Sequence, residues 1–428
     1  MRSVYVWLFA ACLATFALFQ HRPWKPLEVF SADEGGYYAY LPAAFIYGDL
    51  GRADSLATLQ KAQLPPMARE LGLYRLSNGK TVSKYWLGVA LGDVPWFWGA
   101  HWYAGLTGQP QDGLARPYQQ AMLVAGLVYA LLGLWVVRRL LRLYFDDGLA
   151  AWALAGIGLG TNFLAYASYN AAMAHAPLFM WQAALVFCAA RWHQTLRWRW
   201  ALGVGSFLGL AVLTRPTEAL YALVPLCWGI TSWAGLRQRP RFLLAHGRQL
   251  AGAGAVALAV VSLQFLFWHA VSGHWWLDGY TDEGFDFAHP HIWEGLFSFR
   301  KGWLLYTPLA GLALLGIWPL RRWVPAAVAP LLVLVPLLVY VTFSWAAWWY
   351  GGGFSARPLV SLYPLLALPL AALLAGAGRG RRPWRAVVSL CILLNLWQTY
   401  QYAAGVIYFD KYTAELYFRN FFHLTHHR

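Results

Sequence analysis

The sequence predicts an all-α polytopic membrane protein of about eleven transmembrane helices, and three observations support this fold class. The 428 residues are 59% hydrophobic and only 12% charged, whereas soluble domains carry about 25% charged residues. Apolar runs of about 20 residues, long enough to cross a ~30 Å hydrocarbon core, recur from end to end. Short arginine-rich segments alternate with these runs, as expected of loops on one side of a membrane.

The first apolar run follows Arg2 and has small residues near its end, which is also the pattern of a cleavable signal peptide. An uncleaved helix is favoured because many further helices follow it. In either case, residues from about 20 onward emerge on the far side of the membrane. The chain 1–428 is predicted to form a single transmembrane domain. The predicted spans lie near 3–19, 118–137, 148–167, 175–192, 199–214, 218–234, 249–272, 304–320, 324–344, 358–377 and 385–404.

The net charge of +15 is a signal of topology. Six arginine patches hold about half of the 33 basic residues but, of the 18 acidic ones, only Asp146 and Asp147. Cytoplasmic loops of membrane proteins show this bias, so the charge gives no reason to expect a nucleic-acid partner. The patches are Arg2; Arg138, Arg139 and Arg142; Arg191, Arg197 and Arg199; Arg237, Arg239, Arg241 and Arg248; Arg321 and Arg322; and Arg379, Arg381, Arg382 and Arg385.

The parity of these patches places three long segments on the outer face: a first loop at 20–117, a second loop at 273–303 and a C-terminal tail at 405–428. The apolar stretch 85–104 cannot be a crossing, because counting it would invert every later patch. It contains Asp93, Pro95 and several tryptophans, so we expect it to lie along or dip into the outer interface. The first loop is therefore predicted to contain interfacial helices.

The stretch "SADEGGYYAYLP", residues 31–42, places Asp33 and Glu34 on this outer face. One interpretation is local: the acids cap a short helix or are simply solvated. The following Gly35 and Gly36 permit a close backbone approach or a positive φ, which favours a built site.

An acidic pair that opens a long outer loop after the first helix resembles the GT-C superfamily of glycosyltransferases. These membrane enzymes are related to protein O-mannosyltransferases and aminoarabinose transferases. The segment "SKYWLG" (83–88) is similar to a lysine-containing segment of that family, although its two prolines are missing. The segments 289–309 and 348–374 look like uncharacterised bacterial members. These motifs are short and degenerate, and they do not fix the substrate.

The resemblance implies a GT-C-like fold and the transfer of a sugar from a polyprenyl-phosphate donor to a glycan, lipid or protein acceptor. The expected location is the outer side of a bacterial inner membrane. By resemblance, Asp33 is the general base of an inverting displacement and Glu34 the second candidate. Glu34 is alternatively expected to position the acceptor or to help hold a divalent cation.

The leaving group of such a reaction is a lipid phosphate, so cations on the outer face are informative. The candidates for phosphate binding are Lys84, Arg357, Arg300, Lys301 and Arg215. Arginine grips phosphate bidentately, whereas lysine acts as a point charge. For each of them the alternative is snorkelling to lipid headgroups. Arg215 has a further alternative, an intramembrane ion pair with Glu218.

Candidate substrate-binding groups are spread over several outer segments. The loop 273–303 is acidic and histidine-rich and is expected to cap the site and contact sugar or acceptor. No metal site is predicted, because the spacing of its acids matches no calcium loop, although a divalent metal stays compatible with "HPH". The tryptophans also fit an interfacial belt. The candidates are Tyr37, Tyr38, Glu218, His289, His291, Trp348 and Trp349.

Two other classes of protein remain as alternatives. A transporter or flippase of a lipid-linked sugar would carry ionisable residues at mid-membrane and inverted repeats. A scaffold without chemistry would leave the acidic pair and the glycine-flanked Arg357 unexplained. The glycosyltransferase requires an outer acid and an outer cation to converge on one pocket.

Overall fold

The computed structural model describes residues 2–20, 28–53, 72–280, 283–376, 381–408 and 410–425. Nearly all of its regular structure is helical. In the first half the helices are α1 (Ser3–Gln20), α2 (Ala32–Tyr38), α3 (Tyr40–Phe45), α4 (Gly88–Leu106), α5 (Arg116–Leu141), α6 (Asp147–Leu159), α7 (Phe163–Ala167), α8 (His175–Thr195) and α9 (Trp198–Thr214).

The second half continues with eleven further helices in the described residues. They are α10 (Leu223–Cys227), α11 (Trp233–Ala245), α12 (Gly247–Ser272), α13 (Ile292–Phe297), α14 (Trp303–Tyr306), α15 (Pro308–Leu315), α16 (Ile317–Trp323), α17 (Val328–Phe343), α18 (Tyr363–Gly376), α19 (Arg381–Ala403) and α20 (Ala414–Asn420). Single 3₁₀ segments cover Glu28–Phe30, Pro216–Ala222, Pro325–Ala327 and Arg357–Leu362.

The described residues contain one small antiparallel hairpin, in the first loop. Strands β1 (Leu73–Arg75) and β2 (Thr81–Ser83) pair so that Leu73 lies opposite Ser83. The Ser83 hydroxyl donates to the carbonyl of Gly36 at 2.8 Å. This bond fixes the end of β2 against α2, and the residues that follow β2 are thereby brought to the acidic pair.

Within the described chain, five helical segments are long and apolar enough to cross a membrane. This confirms an all-α polytopic membrane protein, whereas the predicted number of about eleven crossings is not established. The five segments are Ser3–Gln20, Arg116–Leu141, Gly247–Ser272, Pro325–Phe343 and Arg357–Gly376.

Three predicted spans are interrupted, each at helix-breaking residues. The span 148–167 divides into α6 and α7, and 304–320 divides at Thr307–Pro308 and at Gly316. The span 218–234 is a 3₁₀ segment, the short α10 and a turn at Gly229, whose φ is +90°. Proline removes a helical hydrogen-bond donor and glycine permits positive φ, so hydropathy alone overestimated the continuity of these helices.

The first long loop, which is predicted to lie on the outer face, contains helices in its described part, as predicted. Helices α2 and α3 follow directly on each other, and α4 spans nineteen residues with Pro95 inside it. Helix α4 packs against α5 while Trp98 and Trp102 remain exposed. Its position along the outer interface stays a prediction.

Helix α18 lies at the centre of the bundle. Every residue from Tyr363 to Ala375 is buried, because the helix is apolar on all sides and packs against α6, α15 and α16. The 3₁₀ segment Arg357–Leu362 leads into it. Arg357 therefore stands at the entrance of the most enclosed helix of the molecule.

Candidate active site

The acidic pair opens α2. Ala32 has φ = +50°, a backbone conformation that residues other than glycine rarely adopt. Asp33 and Glu34 follow it in the first turn, where the unpaired N–H groups of a helix favour negative charge. The local backbone thus turns sharply just before the acids, and Gly35 and Gly36 are buried behind them.

Asp33 is held from two sides. Its Oδ2 accepts a hydrogen bond from Nη2 of Arg357 at 2.7 Å, and its Oδ1 accepts one from the Tyr85 hydroxyl at 2.6 Å. The side chain of Asp33 is 26% exposed and that of Arg357 12% exposed. Burial alone would raise the pKa of Asp33, but the charge of Arg357 and these hydrogen bonds outweigh it, so the pKa lies below its usual value. Asp33 is therefore ionised at neutral pH.

Glu34 has a different environment. Burial, followed by the negative charge of Asp33, raises the pKa of Glu34 to about 7. Adjacent acids with pKa values pushed in opposite directions are a recurrent arrangement in acid–base catalysis. The pKa of one carboxylate of the pair is thus lowered, and that of the other is raised to about 7.

Arg357 emerges from a loop with unusual backbone angles, residues 350–355. Positive φ occurs at Tyr350, Gly351, Gly353 and Ser355. The hydroxyl of Tyr166 donates to the carbonyl of Phe354 at 2.9 Å and accepts from its N–H at 2.8 Å. This pair of bonds fixes the loop three residues before Arg357. Strained loops that are held on both sides often support functional groups.

Lys301 and Arg300 support the same region. The Lys301 side chain is 2% exposed, and its ammonium donates to the carbonyl of Gly353. Burial lowers the pKa of this amine to about 7. Arg300 pairs with Asp410 at 2.8 Å and lies 3.8 Å above the ring of Trp349. The structure thus places both residues, predicted as phosphate ligands, in contacts that anchor the loop and the C-terminal tail.

Lys84 lies beside the acid, at the end of the hairpin. Its ammonium is 3.5 Å from a carboxylate oxygen of Glu283 and 4.8 Å from the ring centre of Tyr280. The hydroxyl of Tyr85, the next residue, donates a hydrogen bond to Asp33. The ring centre of Tyr85 is 4.4 Å from that of Tyr37. The first and second outer loops therefore meet at Lys84.

Arg215 forms a second cationic centre, beside the segment that begins with Arg357. Arg215 forms an ion pair with Glu218 at 3.3 Å. It also donates a hydrogen bond at 3.2 Å to the carbonyl of Pro358, which is the residue after Arg357. Glu218 is fully buried and also accepts from Gln182 at 2.8 Å. The expected ion pair is present, and Glu218 serves to hold Arg215.

The remaining predicted groups lie in other surroundings. Tyr38 is 3% exposed, stacks on Phe30 at 3.9 Å and donates to the carbonyl of Gly113 at 2.5 Å. It is therefore a core residue, and its expected contact with substrate stays a prediction. His289 is exposed and pairs with Asp286 at 3.0 Å.

His291 and Trp348 stack with ring centres 5.9 Å apart, and Trp348 and Trp349 form an edge contact at 6.0 Å. Arg300 lies over the rings of Trp348 and Trp349. Among the described residues, these contacts place the three rings beside Arg300 and none places them beside Asp33. In the described residues, no group of three or more His, Cys, Asp and Glu side chains could hold a metal ion.

Sequence reasoning missed Tyr85, Tyr280 and Glu283 as parts of this site. The available signal was weak: Tyr85 stands beside Lys84 in "SKYWLG", and Glu283 is one of several acids in its loop. With 24 tyrosines in the chain, residue type alone could not single out Tyr85.

No protein-family model matches the chain, and no curated protein matches it. Solved structures with a similar chain path include the oligosaccharyltransferase of Archaeoglobus fulgidus in its apo form, at a TM-score of 0.49 and 14% identity. They also include ArnT from Cupriavidus metallidurans bound to undecaprenyl phosphate, at a TM-score of 0.49 and 16% identity.

The first match covers 96% of this chain and 57% of the other, and the second covers 93% and 64%. The chain therefore spans less than two thirds of the length of either protein.

Proposed function

We propose that this chain is a membrane glycosyltransferase that moves a sugar from a polyprenyl-phosphate donor to an acceptor hydroxyl on the outer face of the membrane. The contact between Asp33 and Arg357 carries this proposal. It joins an acid of the first outer loop to a cation 324 residues later, and both side chains stay partly exposed. An acid to receive a proton and a cation to hold a leaving phosphate are the two charges that the reaction needs.

The donor phosphate is assigned to Arg357, with Arg215 and Lys84 in support. A guanidinium has five N–H donors; among the residues that the structure describes, Nη2 of Arg357 donates to Asp33 and Nη1 to the sulfur of Met173. A phosphate dianion competes with Asp33 for this charge because charge-assisted bonds to phosphate are strong and often bidentate. The proposed donor has a lipid carrier of the kind bound to ArnT in its crystal structure.

The proposed transfer is a single inverting displacement. The acceptor oxygen forms a bond to the anomeric carbon while the bond from that carbon to the phosphate oxygen breaks, and its electrons remain on the phosphate. Asp33 receives the acceptor proton. Arrival of the phosphate draws Arg357 away from Asp33, which raises the basicity of the carboxylate when it is needed. Glu34, with its pKa near 7, is placed to position the acceptor hydroxyl or to relay the proton.

A donor screen tests the proposal. Purified wild-type protein is incubated with synthetic polyprenyl-phosphate sugars and with glycan, lipid and peptide acceptors, and sugar transfer is measured. Asp33→Asn is expected to lower turnover by about 10²-fold or more, the usual range for loss of a general base.

Asp286→Asn is the matched control, because Asp286 is an exposed acid of the second outer loop and pairs only with His289 among side chains. It is expected to retain wild-type turnover. Full turnover in a folded Asp33→Asn variant would overturn the role of Asp33. Absence of transfer by the wild type from every donor would overturn the function itself.

A further inference from the structure

Helix α11 (Trp233–Ala245) is a basic amphipathic helix that lies on the surface of the bundle. It has no buried residue. Trp233 and Leu244 are each 80% exposed and Leu236 is 45% exposed. With ~100° per residue these apolar side chains form one stripe, and Arg237 and Arg241 form the adjacent stripe. This pattern is typical of a helix that lies in the headgroup region of a membrane.

The inner side of α11 is attached to the bundle by specific contacts. Phe242 packs on Trp192, with ring centres 6.0 Å apart. Arg239 donates to the carbonyls of Leu226 at 2.6 Å and Pro225 at 2.7 Å. The exposed arginine stripe is therefore held in a fixed position beside Pro225 and Leu226.

An apolar groove opens at the same place, between α8, α9, α10 and α12. Its cavity volume is about 250 Å³, several times the ~30 Å³ that one water occupies in the liquid. The lining is almost wholly apolar and includes Trp192, Gly205, Leu208, Pro225, Leu250 and Gly254. Since Arg239 binds the carbonyls of Pro225 and Leu226, which line the groove, the basic helix stands at its edge.

The groove is separate from the candidate active site. Leu250 and Gly254 lie in the first third of α12, whereas the other end of α12 leads to the loop with Tyr280 and Glu283. A helix of 26 residues spans about 39 Å. The two sites therefore lie at opposite ends of α12, and the groove is on the side of the arginine patches.

We propose that α11 and this groove bind an anionic phospholipid of the leaflet on the arginine-rich side, with its headgroup on Arg237 and Arg241 and one acyl chain in the groove. Charge complementarity supports this occupant, since α11 carries three arginines and no acid. Arginines near a membrane surface favour anionic over zwitterionic lipid. The groove supplies the apolar surface that a chain of the same lipid would cover.

Native mass spectrometry of the full-length purified protein tests the proposal, with phosphatidylglycerol and phosphatidylcholine as probes at equal concentration. Wild-type protein is expected to retain phosphatidylglycerol at least tenfold more strongly. Arg237→Gln with Arg241→Gln is expected to remove this preference. The matched control carries glutamine in place of Arg321 and Arg322, an exposed pair in another arginine patch. This control is expected to keep the preference for phosphatidylglycerol.

The groove is tested with Gly254→Leu. A side chain at Gly254 would meet nothing within 4 Å, so the leucine enters the groove without a clash and is expected to weaken phosphatidylglycerol retention about tenfold. Gly99→Leu, at an equally open position of α4, is the control. Equal retention by all variants, equal binding of the two phospholipids, or preferential displacement by polyprenyl phosphate would overturn the proposal.

Discussion

The carboxylate of Asp33 keeps one orientation because Tyr85 and Arg357 bind its two oxygens separately. Two bonds from different loops leave the side chain little rotational freedom. A base that is already oriented avoids the cost of ordering it in the transition state. In the proposed reaction, the Tyr85 hydroxyl therefore acts through Asp33, as a positioning residue.

Tyr85→Phe is expected to lower turnover about tenfold while the KM for the donor stays close to that of the wild type. The substitution removes only the hydroxyl, so Asp33 loses one hydrogen bond and its orientation, whereas Arg357 stays available for phosphate. Steady-state kinetics with a donor identified by the screen give the measurement. Tyr47→Phe, at a partly exposed hydroxyl 3.4 Å from a backbone carbonyl, is the control. A large change in KM with unchanged kcat would argue against this role.

The raised pKa of Glu34 predicts that the stability of the folded protein depends on pH. Its pKa in the folded protein is about 7, above the ordinary 4.5, owing first to burial and then to Asp33. Between these two values the folded protein binds more protons than the unfolded chain, so the stability due to this group is present at low pH and falls as pH rises to about 7.

The Glu34→Gln variant lacks this titration. Its thermal midpoint is expected to fall less than that of the wild type between pH 5 and pH 8, and to exceed the wild-type value at pH 8. Thermal unfolding in detergent at a series of pH values provides the test. Parallel pH profiles for wild type and variant would contradict the raised pKa.

At the scale of elements, loop 350–355 determines where Arg357 points. Phe354 is tied to Tyr166, Gly353 to Lys301, and Tyr350 donates to the carbonyl of Thr342 at 2.8 Å. Three contacts from different parts of the chain thus oppose the strain of the positive φ values at Tyr350 and Ser355. The loop is a rigid support, although its glycines alone would indicate flexibility.

Gly353→Ala is expected to weaken donor binding at least tenfold with the fold retained. Gly353 has φ = +155°, and an added Cβ would lie 2.9 Å from the hydroxyl of Tyr166, closer than such contacts allow. The loop must then shift, and Arg357 shifts with it. Donor affinity measured by titration with polyprenyl phosphate gives the readout. Gly284→Ala, in the second outer loop with open space around the added atom, is expected to bind as the wild type does.

At the scale of the molecule, the sequence predicted features that depend on composition and missed those that depend on packing. Lys84 and Arg357 could be singled out because basic residues on the predicted outer face stand out against the arginine bias of the other side, and Asp33 because an acidic pair after the first helix resembles the GT-C pattern. Tyr37 and Tyr38 could not be distinguished, since neighbouring helical residues point ~100° apart and only the structure shows which one meets the core.

The burial of Lys301 was equally invisible to the sequence. A lysine at a loop end is normally solvated, whereas here the carbonyl of Gly353, 52 residues away, approaches its ammonium inside the protein. Hydropathy likewise located apolar segments such as 218–234 but could not show that proline and glycine divide them. Long-range contacts and helix breaks are therefore what the structure added.

The orientation of the whole molecule is the last prediction, and both proposed sites depend on it. His289 lies in the second outer loop with its side chain 83% exposed, and Gln238 is exposed on α11. In a background without the four native cysteines, His289→Cys is expected to react with a membrane-impermeant maleimide in intact cells. Gln238→Cys is expected to react only after permeabilisation, because the arginine-rich segments stay on the cytoplasmic side. The reverse pattern would place Asp33 and Arg357 in the cytoplasm, so that the donor would have to be presented from the opposite leaflet.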